Sequence, residues 1–237
     1  MPSFQYTVPL TATFPSIVGG VLIGTAANSP PSDRLTALYQ SEQQAVKQRL
    51  GETPLSELVT VSAWRNAFRA FNVEPTKYRA ASEALLRRLT KKGDIPSLNT
   101  LVDIGNLISI RYELPVAIFD VRDLAGESLS VRFSDGTEKF WPLGVDEFEQ
   151  PLAGEVIFAD AAHNVYARRW CWRQSRDSAA REDTTQVIVT VEAHHAGAMT
   201  TIEAALLDLH RLLKEHAAFQ GGVGIASAAQ SVFAYEP

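Results

Sequence analysis

The chain has 237 residues, of which 46% are hydrophobic and 21% charged, with a formal net charge of −5 at pH 7. That is the composition of an ordinary globular protein, long enough to bury roughly 70–75% of its unfolded surface without a stabilising metal or disulfide. The acidic balance excludes a global attraction to nucleic acid, so any such contact requires a local basic patch. The single cysteine, Cys171, excludes an intrachain disulfide and a Cys-based zinc cluster.

Residues 1–6 lack the basic stretch and apolar core of a signal peptide. The apolar run at 17–24 is too short to span a bilayer. A reducing, cytoplasmic location with no membrane partner is expected.

Residues 4–24 alternate short apolar runs with Pro and Gly and predict one or two strands. The sequence Ser29-Pro30-Pro31-Ser32 marks a turn. A helix follows over 33–50, closed by Gly51. A second helix is expected from Thr53 with Pro54 in its first turn, and Trp64, Phe68 and Phe71 on one face as a core stripe. A third spans about 77–92, with a Glu83–Arg87 pair and a stop at Gly93. A fourth covers 99–112, with Leu101, Ile104, Gly105 and Ile108 along one face.

The period then changes. Strands are predicted at 116–120, 128–133, 139–141, 155–158, 165–170 and 187–192, with a hairpin-type turn at Asp135-Gly136. Thr200 and Glu203 suggest a capping box for a last helix over 202–216. Helices at both ends around a strand-rich middle predict an α+β fold. One domain over 1–237 is expected, with 1–60 as an N-terminal extension.

The chain lacks a Gly-rich phosphate loop, a dinucleotide fingerprint and a G-x-S-x-G elbow, which disfavours nucleotide hydrolysis, nicotinamide redox chemistry and serine-hydrolase chemistry. None of the five histidines falls in an H-E-x-x-H arrangement, and all five read as solvent-exposed. Cys171, flanked by Arg169 and Arg173, reads as a small strand cysteine rather than a nucleophile. On a strand, Trp170 and Trp172 would share one face, with Cys171 and Arg173 on the other. Arg87-Arg88 with Lys91-Lys92 is the densest basic cluster, and reads as a solvated helix face.

Several stretches occur in a specific order. They are Trp64-Arg65, Arg79-Ala80-Ala81-Ser82-Glu83-Ala84-Leu85-Leu86-Arg87-Arg88, then Pro96-Ser97-Leu98-Asn99 leading to Val102-Asp103 and Asn106, then Pro115 to Phe119-Asp120. Gly154-Glu155-Val156-Ile157-Phe158-Ala159-Asp160, Arg168-Arg169-Trp170-Cys171-Trp172-Arg173-Gln174 and Thr184-Thr185 follow. Over about residues 60–195 this pattern resembles the freestanding relatives of the tRNA-editing (B3/B4) domain of the phenylalanyl-tRNA synthetase β-subunit. In the synthetase that domain hydrolyses tyrosine wrongly attached to the phenylalanine tRNA. The resemblance implies a B3/B4-type fold, a pocket for an aminoacyl adenosine end, and ester hydrolysis by a positioned water with no metal and no cofactor.

Carried over residue by residue, the resemblance implies Glu192 and Asn99 as catalytic positions. Arg173, Gln174, Thr185 and Arg79 are the implied substrate-binding positions. Its implied partners are a tRNA or aminoacyl-tRNA and an amino acid. Ala117 stands where many synthetases have histidine, and alanine neither orients water nor donates a hydrogen bond. Bland alternatives stay open: Asn99 with Asp103 as a helix cap, Glu192 as a strand end, Arg173 as a surface arginine. Three functions follow: an aminoacyl-tRNA deacylase, a non-catalytic binding module using the same pocket, or a fold reused for other small-molecule chemistry.

Overall fold

A computed structural model describes residues 2–236. The chain order is β1 (Ser3–Tyr6), α1 (Val8–Thr13), β2 (Val18–Thr25), α2 (Asp33–Leu50), α3 (Val59–Ala70), α4 (Ala81–Lys92) and α5 (Thr100–Tyr112). Then come β3 (Val116–Asp120), β4 (Ser128–Phe133), β5 (Val156–Ala159), β6 (Val165–Arg168), β7 (Arg173–Gln174), β8 (Gln186–Ala193), α6 (Ala198–Ala217), β9 (Gln220–Ser227) and β10 (Val232–Ala234). The fold is α+β. One sheet has the order β10-β1-β4-β5-β6-β7 and the other β3-β8-β2-β9. Among the described residues, no helix is long and apolar enough to cross a membrane.

The small sheet is the middle layer. Its strand β8 is buried at all positions after Gln186, and its two faces serve different cores. Val187, Val189, Val191 and Ala193 pack with Leu22 against α2, α5 and α6. Ile188 instead joins Phe4, Tyr6, Leu129, Val131 and Phe158 of the larger sheet. Side chains alternate along a strand, so the even-numbered residues of β8 face the gap between the sheets. Thr190 and Glu192 are even-numbered, which is the local reason for their burial.

Local chemistry sets the helix ends. Ser32 caps α2, its Oγ accepting from Leu35 N at 3.3 Å. Gly93, at φ 89°, terminates α4 in the left-handed region that glycine adopts without a side-chain clash. Asn99 caps α5, its Oδ1 accepting from Val102 N at 3.0 Å. Asp103, fully buried, accepts from Leu98 N at 2.9 Å and from Ser97 Oγ, so the acid of the motif pins the loop entering α5.

Several expectations are corrected. Residues 1–60 are not an appended extension: β1 pairs with β4 and β10, and β2 pairs along its whole length with β8 and β9. The chain ends on two strands after α6, so helices do not simply flank the strands. The second helix starts at Val59 after a short 3-10 turn at Leu55–Glu57, and Thr53 caps nothing. Glu83 pairs with Arg65 at 2.6 Å and Arg79 at 3.6 Å instead of Arg87, because it lies on the buried side of α4. Residues 139–141 form only isolated bridges, to Asn164 and Glu149. The last helix begins at Ala198 behind Gly197, without a Thr200–Glu203 box.

Candidate functional site

A pocket with a cavity volume of about 70 Å³ opens between the two sheets. Its walls are mainly apolar, from Val116 and Ala117 of β3, Phe158 of β5 and Ala167 of β6. Polar groups come from Thr190 and Glu192 of β8 and from the segment Trp170–Gln174. Strand register assembles the inner wall: Ala117 lies opposite Thr190, and Val116 opposite Val191. An apolar cleft with a few convergent polar groups has the lining of a small-molecule site, and its cavity volume matches a small polar tip rather than a whole ligand.

Glu192 forms the inner end, with 2% of its surface exposed. The Tyr6 hydroxyl donates to Oε1 at 2.8 Å, and the Trp170 indole N–H lies 3.1 and 3.2 Å from the two carboxyl oxygens. Burial pushes the Glu192 pKa up from 4.5 to about 7, although both donors favour the ionised form. The same burial, with Glu192 beside it, raises the Tyr6 hydroxyl well above its ordinary value. Tyr6 reaches Glu192 because residue 19 is glycine. Gly19 lies opposite Glu192 in the β2–β8 register, and a Cβ there would collide with the Tyr6 hydroxyl.

Trp170 is held by rings on several sides. Phe14, Trp64 and His194 lie 5.0, 5.2 and 4.8 Å from it, all edge-on. Its backbone is unusual, since Arg169 and Trp170 have φ values of 45° and 57°. Two successive non-glycine residues in the left-handed region cost about 1 kcal/mol or more each, and need bracing. Glu155 supplies it, accepting from Arg168 Nε and Nη2 and from Arg169 N, each at 2.9 Å. The expected alternation of Trp170, Cys171, Trp172 and Arg173 on a strand is therefore corrected. The chain reverses there, and all four residues line the pocket.

At the mouth, Arg173 is exposed and its guanidinium lies 4.5 Å from the Trp172 ring. It has no carboxylate partner among the ion pairs of the described residues. Gln174 is fixed by its amide, which donates to Ile118 O at 2.8 Å and Ser178 O at 2.7 Å. Burial and the neighbouring Glu192 push the Cys171 thiol well above its ordinary value, the opposite of an activated nucleophile.

The structure thus brings together Glu192, Arg173 and Gln174 of the sequence-derived candidates. Asn99 is not with them. It caps the far end of α5, and a helix of 13 residues spans about 20 Å. Thr185 is exposed just before β8, seven residues from Glu192 and so about 23 Å along the strand. Its neighbour Thr184 is buried and donates to Asp120 at 2.6 Å. Arg79 lies outside the lining and pairs with Glu83.

Sequence reading missed Thr190, although its two-residue spacing from Glu192 placed it on the same strand face. Tyr6 had no sequence signal, being 186 residues from Glu192. The histidines are corrected too, since only His163 is exposed. His194 lies among Phe14, Trp64 and Trp170, where burial pushes its pKa down to about 3.

Outside the pocket, Asp135, Glu138 and His163 each bring one potential metal-ligand atom within 4.8 Å of the others. The Glu138 carboxylate there already serves Arg132, Ser134 Oγ at 2.5 Å and two backbone N–H groups of its loop. The trio reads as a loop clamp.

No curated protein matches the sequence. Among solved structures, an N-terminal fragment of the phenylalanyl-tRNA synthetase β-subunit from Pyrococcus horikoshii is similar, with 14% identity and a TM-score of 0.46. The similarity covers 94% of this chain and 49% of that one, so the chain spans about half the length of that fragment. The family model of the B3/4 domain matches residues 63–210, which hold α4, α5, β3 and the whole Trp170–Glu192 side of the pocket. The chain belongs to the B3/4 domain family.

Proposed function

We propose that this protein acts on the aminoacyl end of a tRNA and hydrolyses a mischarged aminoacyl ester. The observation that carries the reading is the pairing of a buried carboxyl at the inner end of an apolar pocket with an unpaired guanidinium at its mouth. The side chain of the esterified amino acid enters between Phe158, Ala117 and Trp170, and Glu192 hydrogen-bonds a polar group at its tip. The ester then lies toward the mouth, beside Arg173 and Gln174. Water attacks the ester carbon, the ribose oxygen leaves with a proton, and the freed carboxylate is paired by Arg173. B3/4 family membership supports a tRNA setting. Asn99, Thr185 and Arg79 have no part in this site.

Incubating the purified protein with a set of aminoacyl-tRNAs, including tyrosine on the phenylalanine tRNA, tests it by loss of the ester. Hydrolysis that disappears in Glu192→Ala is expected. Absence of turnover on every aminoacyl-tRNA overturns it. One observation favours a second reading, binding without chemistry: Ala117 offers the pocket no group to orient a water, and burial holds the Cys171 thiol protonated. Saturable binding with no turnover is the result that reading expects.

A further inference from the structure

A second cavity, of about 170 Å³, shares no lining residue with the pocket between the sheets. It forms where the end of β3, the start of β6 and the loop after β7 meet, and Trp141 closes one side. Asp120, Asp123 and Asp177 line it, and among the described residues no Lys, Arg or His does. The cations beside these acids are already shared. Arg122 is clamped between Asp120 and Asp183, and Arg176 between Asp146 and Asp177.

Acids alone make only a solvated surface, but Tyr166 adds a second observation. It is 6% exposed, with its ring edge-on to Phe119 at 5.9 Å in the core between the sheets. It lines this cavity, and its hydroxyl has no hydrogen-bond partner among the described residues. Burial and the charges of Asp160, Asp123, Asp120 and Asp177 hold that hydroxyl protonated. Three of those four acids line the cavity, which places the hydroxyl on its side. A buried hydroxyl without a partner is costly, and in a native fold it calls for an explanation. The donors of the wall are turned inward. Ser175 Oγ donates to Trp141 O at 3.2 Å, Ser178 Oγ to Tyr166 O at 2.9 Å, and the Asn164 amide to Asp160 at 3.0 Å. The acceptors are free. Asp123 has no hydrogen bond and no ion pair among the described residues, and the Asp177 carboxylate has only Arg176 at 3.4 Å.

Free acceptors with unbalanced negative charge fit a cation that carries several N–H donors. The Trp141 ring is already covered by Arg176, 4.7 Å from its centroid, so a quaternary ammonium finds no open aromatic face. A single metal ion fits poorly as well, because the described trio close enough to share one is Asp135, Glu138 and His163, outside this cavity. The volume is near the roughly 150 Å³ that holds a benzene-sized molecule, which leaves room for a short alkyl chain. We propose that this cavity binds a primary ammonium group on a short alkyl chain, with Asp123, Asp177 and the Tyr166 hydroxyl accepting its N–H donors. A free alkylamine and a lysine side chain present the same group.

The experiment is a calorimetric titration of the full chain, at neutral pH and low salt. The probes are n-butylamine, Nα-acetyl-lysine amide, n-butanol, tetramethylammonium chloride and calcium chloride. Saturable binding of an amine at millimolar concentrations or below is expected, with none of butanol or tetramethylammonium. Tighter binding of the lysine amide upholds the proposal with a lysine side chain as the source, and tighter binding of butylamine upholds it with a free amine. Tyr166→Phe should weaken amine binding about tenfold or more, the scale of a lost hydrogen bond to a charged group. Asp123→Asn and Asp177→Asn should each weaken it and flatten its dependence on salt. Glu192→Ala should leave it unchanged, since Glu192 lies in the other pocket. Circular dichroism checks that each variant is folded. No saturable amine binding, or butanol binding as tightly as butylamine, overturns the proposal. So does a folded Tyr166→Phe that binds as the wild type does, and so does calcium binding without amine binding. Amine binding that is lost in Glu192→Ala also overturns it, because the amine then occupies the pocket between the sheets. Ester hydrolysis is measured separately, so either reading can fail while the other stands.

Discussion

The Glu192 carboxyl makes the fold's stability depend on pH. Its pKa is about 7 in the folded chain against 4.5 for the free group. Between those values the native state holds a proton that the unfolded state has lost, so stability falls as pH rises. The contribution is fully present below pH 4.5 and gone above pH 7. At 1.36 kcal/mol per unit the loss is about 3 kcal/mol. Urea denaturation at pH 5.5 and pH 8 should show the wild type less stable at pH 8. Glu192→Gln, which keeps an oxygen to accept from Tyr6 and Trp170, should flatten that difference. An unchanged pH dependence in the variant would mean that Glu192 ionises freely in the fold. The same pKa places an ionisation close to neutral pH, where a carboxyl serves either as acceptor or as base.

At the scale of elements, the motif residues that carried the family resemblance divide into two groups. Glu83, Asn99 and Asp103 build helix junctions, whereas the Trp170–Gln174 reversal and Glu192 build the pocket. Asn99→Ala should therefore cost about 1 kcal/mol of stability, the usual loss of an N-cap, with the pocket's ligand affinity unchanged. A loss of activity at full stability would restore Asn99 to the site. Gly19→Ala tests the approach of β1 to β8. Its Cβ would occupy the position of the Tyr6 hydroxyl, so Tyr6 must move off Glu192. A destabilisation of about 1–3 kcal/mol is expected from the overpacking, together with loss of ligand affinity. Tyr6→Phe, which removes the hydroxyl without adding bulk, separates the two effects. Affinity lost in both variants identifies the hydrogen bond as the cause.

For the whole molecule, the sheets are joined by the chain's two ends. β1 is flanked by β4 and β10 in the large sheet, while β2 lies between β8 and β9 in the small one. A chain of residues 60–195 alone would lack β1 and β2 and would leave β8 without its β2 partner. It would also lack α6, whose Ile202, Ala205, Leu209 and Leu213 cover the small sheet. Such a piece should fail to fold, with a disordered far-UV circular dichroism spectrum. The full chain should unfold in one cooperative transition in urea. A folded 60–195 piece would restore the view of the N-terminal residues as an extension.

By itself the sequence determined what local chemistry determines. The helix over 33–50 with its glycine stop, the strands at 116–120 and 128–133, and the α+β class follow from periodicity, caps and breakers, which act within a few residues. The family was legible because motif order and spacing survive in the linear chain. The tertiary structure decided which of those residues meet. Tyr6 and Glu192 touch across 186 residues, a contact set by the pairing of strands from opposite ends of the chain. Whether the motif's asparagine reached the pocket depended on the direction of α5, and the Trp170 face depended on a left-handed reversal braced by Glu155. Neither is written in local propensity, because each is imposed by packing and ion pairing between elements far apart in sequence.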